Sequence, residues 1–364
     1  MRIYKIKDIC RLEKGKQIDT TLLDDANPYK YINGGIKESG YYTSYNTEGE
    51  AVLVSEGGAS CGYVNYINEK FWCGCHCYKL TECKFLPKYI YYALKGNQDK
   101  LMALRTGAAM PNIKKSTFQD MKLKLNDDFA EQEKVINELD KIQIAIDTKQ
   151  TELIALDDLV KSRFIEMFGD IRISSIFPNI ALENFAQIGS SKRVHAADYV
   201  ESGVPFYRSK EIIELGNGQE PSVELFISKK QYESIKKTNG VPCKGDILMS
   251  AVGTIGKMWI VDGRKDFYYK DGNIISIHSE ETNPIYLKEA LANLIDDFKS
   301  ANVAGSAYSA LTIVKLKKMT VPMPPMSIQN KFAEFVKLID KSKFVGLFTL
   351  NIFYVKFSHF HHPP

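Results

Sequence analysis

The sequence lacks an apolar run long enough to cross a bilayer. The nearest candidate, residues 344–357, is interrupted by Thr349, Asn351 and Lys356, whereas a spanning helix needs about 20 predominantly apolar residues. The start of the chain also lacks the charged and then apolar pattern of a secretory signal. We therefore expect no membrane partner.

Cysteine is scarce and its count is odd. Seven cysteines in 364 residues cannot all pair with one another, which excludes a fully paired disulfide scaffold. This usage favours a reducing cytoplasm as the location of the protein. The seven residues are Cys10, Cys61, Cys73, Cys75, Cys77, Cys83 and Cys243.

The chain also lacks a strong excess of charge of one sign. Its formal net charge of +4 permits nucleic-acid binding without requiring it, so local patches must carry such a function. The 44% of hydrophobic and 25% of charged residues exclude global disorder. Because 364 residues exceed one average domain, we expect two folded units.

Motifs for metal, nucleotide or catalytic chemistry are weak. The CGCHC stretch at 73–77, with Cys83, has zinc-type ligands but tighter spacing than usual sites, and its alternation predicts three cysteines on one face of a strand. The glycines of 253–257 lack the spacing of a phosphate loop, and Met258 replaces its hydroxyl residue. Residues 322–325 lack the aromatic residue of a methyltransferase signature. Scattered Asp, Glu and His residues form no distinct hydrolase or nuclease cluster, so we expect no catalytic residues, bound metal or cofactor.

An internal repeat is the most informative feature of the sequence. The stretch 106–110, a basic segment and 118–123 are echoed by 304–308 and 316–321. The order of elements is preserved on both sides of these copies. The further matching pairs are 6–10 and 182–186, the strand and glycine turn of 51–62 and 246–256, the helices 88–104 and 285–302, and the helix openings Glu131-Gln132 and Ile328-Gln329.

Between the two copies, residues 129–168 carry apolar residues at alternating spacings of three and four, which predicts a coiled-coil helix. About 40 helical residues make a rod of roughly 60 Å. Lys149 and Arg163 lie on the same stripe and weaken it. The alternative is an ordinary amphipathic helix packed on one domain. The stripe consists of Val135, Leu139, Ile142, Ile146, Leu153, Leu156, Val160 and Met167.

These patterns predict an α+β fold with two similar domains of mixed strands and short helices, joined by long coiled-coil-forming helices. The predicted segments are a first domain over 1–128, a spacer helix over 129–170, a second domain over 171–326, the start of a second spacer helix over 327–344, and an atypical apolar tail over 345–364.

The helical pattern of the second spacer fades after Phe344, so a full-length return helix is not expected. The tail, which closes with 361–364, resembles an altered reading frame or a rearranged terminus, and the alternative is a natural tail. If the two helices pair antiparallel, the stripe from Val135 to Ile146 would lack a partner. We expect self-association or another subunit to cover that stripe, unless the tail folds back over it.

The succession of domain, long helix, domain and helix resembles the specificity subunit of type I restriction-modification enzymes. The resemblance covers about residues 1–343, with a truncated or altered C-terminal helix, and depends on the order of short motifs repeated twice. These motifs are TGAAMPNI at 106–113, Glu131-Gln132-Glu133, Gly245 to Leu248, Gly253 to Gly256 and PMPP at 322–325.

The resemblance implies a non-catalytic, sequence-specific DNA-binding subunit with two target-recognition domains, each reading half of a bipartite target in double-stranded DNA. In the family the helices pair antiparallel, set the separation of the two domains and dock two methyltransferase (modification) subunits, while a restriction motor-nuclease subunit can join. S-adenosylmethionine and ATP would belong to those partners. The alternative is a coiled-coil interaction protein whose duplicated domains bind protein or another ligand.

Candidate DNA-binding residues lie in predicted loops and strand ends, where donors can reach phosphates and base edges. A solvated surface role is the alternative for each. The candidates are Lys14, Lys16, Asn33, Tyr45 and Arg105 in the first domain, and Lys192, Arg193, His195, Arg208, Lys210 and Lys257 in the second.

Overall fold

The computed structural model of the chain describes residues 1–107, 109–171, 174–302 and 311–361. It divides into two units, Met1–Glu152 with Gly346–Pro364, and Leu153–Val345. The repeated stretch at 304–308 and the last three residues of the chain lie outside the described residues. In the described part, no helix combines the length and the apolar character that a membrane span requires.

The first unit is built from short strands, four short helices and a long helix. In chain order the elements are β1 (Arg2–Lys5), α1 (Ile6–Ile9), β2 (Arg11–Lys14), β3 (Tyr29–Ile32), β4 (Tyr41–Tyr42), β5 (Ala51–Ser55), β6 (Val64–Ile67), β7 (Phe71–Cys73), β8 (Cys77–Thr81), α2 (Pro87–Gly96), α3 (Gln98–Met102), α4 (Lys115–Gln119), β9 (Lys122–Leu125) and α5 (Phe129–Phe168).

The central sheet of this unit has the strand order β2-β8-β5-β6, and all its neighbours are antiparallel. Strand β5, with sequence AVLVS, is buried along its whole length, as its β-branched and apolar residues favour. A second, smaller sheet has the order β4-β3-β7, in which β3 and β7 run parallel. Helix α2 packs on the core of the larger sheet through Ile90 and Leu94.

The second unit repeats this plan with an insertion. Its further elements are β10 (Gly169–Asp170), β11 (Ser174–Ser175), β12 (Asn179–Ala181), β13 (Gln187–Gly189), β14 (Tyr199–Val200), β15 (Val204–Tyr207), α6 (Ser209–Gly216), β16 (Phe226–Ile227), α7 (Lys229–Thr238), β17 (Ile247–Ser250), β18 (Met258–Ile260), β19 (Tyr268–Tyr269), β20 (Ile274–His278), α8 (Pro284–Asn302), α9 (Ile313–Lys318), β21 (Thr320–Pro322) and α10 (Met326–His361).

The sheet topology confirms the duplication that the sequence predicts. The order β13-β20-β17-β18 repeats β2-β8-β5-β6, and the parallel pair β15 and β19 repeats β3 and β7. The glycine turns also match, because Gly62 N donates to Ser55 O and Gly256 N donates to Ser250 O, both at 2.8 Å. The predicted α+β class with two similar units is therefore confirmed.

Glycine is needed at both of these turns. Gly62 and Gly256 have φ values of 77° and 80°, which L side chains rarely adopt. A Cβ at Gly256 would lie 2.4 Å from Ile295 Cγ2. The repeated glycines thus allow the turn after β5 or β17 to pack closely on a helix or loop of its own unit.

The long helix α5 buries the stripe that its spacing predicts. Leu139, Ile146 and Val160 are buried, and the other five predicted stripe residues are half-buried. Helix α10 pairs with it antiparallel. In the second unit Lys343 Nζ lies 2.5 Å from Asp157 Oδ1, and Phe332 packs on Phe164.

The expectation that the second helix ends near Phe344 is wrong, because α10 continues as a helix to His361. In the first unit, the tail packs on α5 and α2. The Gln150 Nε2 amide donates to Tyr354 Oη at 2.8 Å, and the Phe357 ring makes an edge contact with Tyr92. The tail therefore folds back over the first helix. The expected exposed stripe does not exist, since Leu139 is only 1% exposed.

Candidate nucleic-acid interface

In the first unit, the turn from Cys73 to Cys77 joins three loops. Lys16 N donates to Cys73 O at 2.9 Å, so the loop after β2 contacts this turn. The Asn46 side chain makes two hydrogen bonds to the backbone of Cys73. Cys73 N donates to Asn46 Oδ1 at 2.7 Å, and Asn46 Nδ2 donates to Cys73 O at 3.0 Å. His76 N donates to Asn33 Oδ1 at 3.2 Å. The predicted residues Lys16 and Asn33 are thereby brought to one turn, next to the Tyr45–Asn46 segment.

The close approach of these loops depends on glycine. A Cβ at Gly15 would lie 2.2 Å from Cys73 O, and one at Gly74 would lie 2.2 Å from Asn33 Oδ1. Larger residues at either position would therefore separate the loops.

The turn also corrects the cysteine prediction. The stretch spans the end of β7, a turn and the start of β8, so the three cysteines do not line one strand face. Cys73 and Cys77 are buried and Cys75 is half-buried, with its Sγ donating to Gln17 Oε1. Within the described residues, no group of three or more His, Cys, Asp and Glu residues could hold a metal ion.

Two other candidates of this unit have charged neighbours. Lys14 Nζ lies 2.7 Å from Glu56 Oε1, and this nearly buried carboxylate also accepts a hydrogen bond from Tyr78 Oη. Burial, and next the Glu56 hydrogen bond, raise the pKa of Tyr78. The Tyr45 hydroxyl accepts from Lys70 Nζ, which raises the pKa of Lys70.

Arg105 has a structural contact. Its Nε donates to Cys61 O at 2.8 Å, in the turn that follows β5. The next residues form a narrow loop, in which Thr106 N donates to Asn112 O and Asn112 N donates to Thr106 O. Arg105 thus fixes one loop against the other.

The second unit has a corresponding turn, from Tyr269 to Asn273. Lys192 N donates to Tyr268 Oη at 2.7 Å, and Gly272 N donates to Ser190 Oγ at 3.1 Å. Arg193 Nε lies 3.4 Å from Asp271 Oδ2. The turn again joins the loop after the first strand of the larger sheet. Sequence reasoning missed Asp271, because it lies far from Arg193 in the chain.

Arg208 and Lys210 are held by carboxylates. The Arg208 Nη2 atom lies 2.7 Å from Glu211 Oε1 and 2.9 Å from Glu224 Oε2, and Lys210 Nζ lies 3.0 Å from Glu224 Oε1. Glu211 is fully buried and also accepts from the Arg208 backbone amide. The hydrogen bonds to Glu211 and Glu224 raise the pKa of Arg208, and Glu224 raises that of Lys210.

The two remaining candidates lie in other local structures. His195 is exposed and caps a short 3-10 turn, where its backbone amide donates to Asp198 Oδ2. Lys257 directly follows Gly256 of the glycine turn, and its side chain is exposed. Its backbone N donates to Ser250 Oγ, and its backbone O accepts from Ser250 N. Among the described residues, neither side chain makes a hydrogen bond or ion pair to the turn from Tyr269 to Asn273.

Exposed lysines differ in how their charge is compensated. Across the described ranges, Lys16, Lys192 and Lys257 make no side-chain ion pair, unlike Lys14 and Lys210. The inserted helix α7 adds a basic surface that sequence reasoning missed. Its exposed lysines, which are also without ion pairs among the described residues, are Lys229, Lys230, Lys236 and Lys237.

Comparison with known proteins places the chain in a family. Residues 1–157 and 177–344 match the family model described as the type I restriction modification DNA specificity domain. A Haemophilus influenzae protein named as a type I restriction enzyme specificity subunit is 24% identical over 358 residues, covering 91% of this chain and 89% of the relative. A Mycoplasma genitalium protein named as a type I specificity subunit is 33% identical over 137 residues, and the match covers 37% of this chain but only 36% of that relative.

Solved structures show the same fold. A type I restriction-modification S subunit from M. genitalium matches with a TM-score of 0.61 and 21% identity, over 99% of this chain and 94% of that one. A chain from a structural study of type I complex assembly and conformational transition has a TM-score of 0.54 and 10% identity, over 99% and 96%. Because the family model matches most of both repeated units, this chain belongs to the type I restriction-modification DNA specificity family.

Proposed function

We propose that this chain is the DNA-recognition subunit of a type I restriction-modification enzyme, and that each unit reads one half of a bipartite target in double-stranded DNA. The observation that carries the proposal is the duplicated junction of loops. In each unit a turn joins the loop after the first strand of the larger sheet, and in each an exposed lysine, Lys16 or Lys192, belongs to that loop.

Such a surface suits DNA recognition for physical reasons. Hydrogen bonds between loops give a platform of fixed shape, on which exposed donors can contact phosphates and base edges. Lys16, Lys192 and Lys257 are the strongest phosphate candidates, because no carboxylate in the described part of the chain neutralises them. Arg208 and Lys210 would first have to leave Glu211 and Glu224.

Catalysis belongs to partner subunits in this proposal. Two methyltransferase subunits, with S-adenosylmethionine, would modify the target, and a motor-nuclease subunit using ATP would cleave unmodified DNA. This chain supplies the recognition of the DNA target sequence. The lengths of α5 and α10 would set the gap between the two half-sites, since an α-helix rises about 1.5 Å per residue.

Reconstitution tests the proposal. The purified chain alone should neither methylate nor cleave DNA, and the chain with its cognate methyltransferase should methylate one split sequence. Methyl transfer or cleavage by the isolated, contaminant-free chain would contradict the assignment. An active methyltransferase that bound the chain yet methylated DNA without sequence preference would contradict it as well.

A further inference from the structure

A buried glutamine begins the long helix of the first unit. Gln132 is fully buried in the first turn of α5. Its Oε1 accepts from Leu86 N at 3.0 Å, and its Nε2 donates to Asn126 O at 2.9 Å. Leu86 directly precedes α2, and Asn126 directly follows β9. One side chain therefore joins the start of the domain helix, the exit of the last strand and the start of α5.

The second unit contains the same arrangement. Gln329, in the first turn of α10, is 1% exposed. Its Oε1 accepts from Asn283 N and its Nε2 donates to Pro324 O, both at 2.8 Å. Asn283 directly precedes α8. The preceding residues differ, Ala130-Glu131 in one copy and Ser327-Ile328 in the other, whereas the glutamine and its pair of backbone contacts recur.

The glutamine amide is suited to this position because it offers one acceptor and a donor group at the same end. The first backbone N–H groups of a helix have no partner inside the helix, and a buried polar group without a partner is costly. Without the amide, Leu86 N and Asn126 O would both lose their hydrogen bonds to Gln132. In the first unit, Asp140 adds a second attachment further along α5, to Lys88 Nζ at 2.7 Å and Tyr92 Oη at 2.5 Å.

We propose that Gln132 and Gln329 are positioning residues that lock each recognition unit to the start of its long helix. The lock fixes the direction in which the unit's loops are presented, and its role in DNA recognition rests on the proposed function. The glutamines do not touch DNA. They determine how strictly the complex requires one fixed number of base pairs between the two half-sites.

Hydrogen–deuterium exchange of the full chain tests the lock without DNA or partners. Gln132→Met keeps the side-chain volume and removes both hydrogen bonds, so exchange of the peptide containing Leu86 should become about tenfold faster. Gln98→Met is the matched control. It removes hydrogen bonds to Val64 N and Gly62 O inside the same unit, away from the helix junction.

Gln132→Glu gives a rescue that a general packing defect would not show. A protonated carboxyl can accept from Leu86 N and donate to Asn126 O, whereas a carboxylate can only accept. Relative to wild type at each pH, exchange should be fast at about pH 8 and close to normal at about pH 5. Gln329→Glu should behave likewise at Asn283, which keeps the test valid if one variant fails to fold.

The methylation pattern then connects the lock to recognition. Complexes with Gln132→Met should also methylate targets whose gap is one base pair longer or shorter, while complexes with Gln98→Met keep the wild-type gap. Unchanged exchange in folded Gln132→Met and both glutamate variants would overturn the lock. Fast exchange with an unchanged gap would overturn its role in spacing, and a wild-type complex without any sequence preference would instead overturn the proposed function.

Discussion

Lys16 and Lys192 occupy corresponding positions in the two units. Glu13 on the edge strand β2 pairs with Lys79, and Gly189 on the edge strand β13 pairs with Ser276. Lys16 lies three residues after Glu13, and Lys192 lies three residues after Gly189. Both side chains are exposed. The correspondence predicts the same role for both lysines.

Replacing either lysine should weaken DNA binding and reduce its salt dependence. Each lost phosphate contact should lower the slope of log K against log salt by about 0.9 for duplex DNA. Lys16→Ala and Lys192→Ala can be compared by fluorescence titration at several salt concentrations. Lys122→Ala, on a strand outside the loop junction, is the control. If both test variants keep the wild-type slope of log K against log salt, these lysines do not contact DNA phosphates.

Arg208 is expected to act on stability before it acts on DNA. Its guanidinium compensates the fully buried Glu211 carboxylate, so Arg208→Ala should lower the free energy of unfolding by about 2 kcal/mol or more. Arg208→Ala with Glu211→Gln should recover part of that loss, because the buried charge is removed. Arg193→Ala, which removes a 70% exposed side chain from its ion pair with Asp271, should cost less than about 1 kcal/mol. Urea unfolding of the four proteins decides the matter, and equal stability of Arg208→Ala and wild type would contradict the structural role.

Glu224 should contribute to the loss of stability in acid. Lys210, and next Arg208, lower its pKa below the ordinary value of 4.5. A depressed pKa gives stability that is present above the unfolded value and is lost as the pH falls through the folded value. Glu224→Gln should therefore lose less thermal stability than wild type between about pH 6 and about pH 3. Glu220→Gln serves as the control, and superimposable melting profiles for Glu224→Gln and wild type would exclude this contribution.

Removing residues 346–364 should expose the first half of the α5 stripe. Leu139 and Ile146 are buried in the full chain, and each Å² of newly exposed apolar surface costs about 25 cal/mol. The truncated protein should self-associate more than the full chain in light scattering. The same truncation with Leu139→Gln and Ile146→Gln should do so less. A truncated chain that scatters light like the full chain would show that the stripe needs no cover.

The repeat and the spacer helix could be predicted because their signals are local and periodic. The α5 stripe can be recognised from apolar residues at alternating spacings of three and four alone. The glycine turns of the two copies share both their residue types and their place in the order of elements. The length of α10 was missed because its later contacts come from aromatic residues such as Tyr354 and Phe357, which did not look like a regular continuation of the seam.

The candidate site was harder to predict because its organisation is nonlocal. Lys16, Asn46 and Cys73 meet only in the folded unit, and Glu224 reaches Arg208 across 16 positions of sequence. The sequence therefore could not show that Lys210 is paired with a carboxylate whereas Lys192 is not. The buried role of Gln132 was also invisible, since its sequence indicated only where a helix opens.

The most direct test of modular DNA recognition is methylome sequencing after residues 1–128 are replaced by the corresponding domain of a relative with a different target. The chimera is reconstituted with the cognate methyltransferase, and the wild-type complex is sequenced in parallel. We predict that one half of the methylated sequence changes while the other half and the gap remain. An unchanged motif, or a change in both halves, would contradict the account.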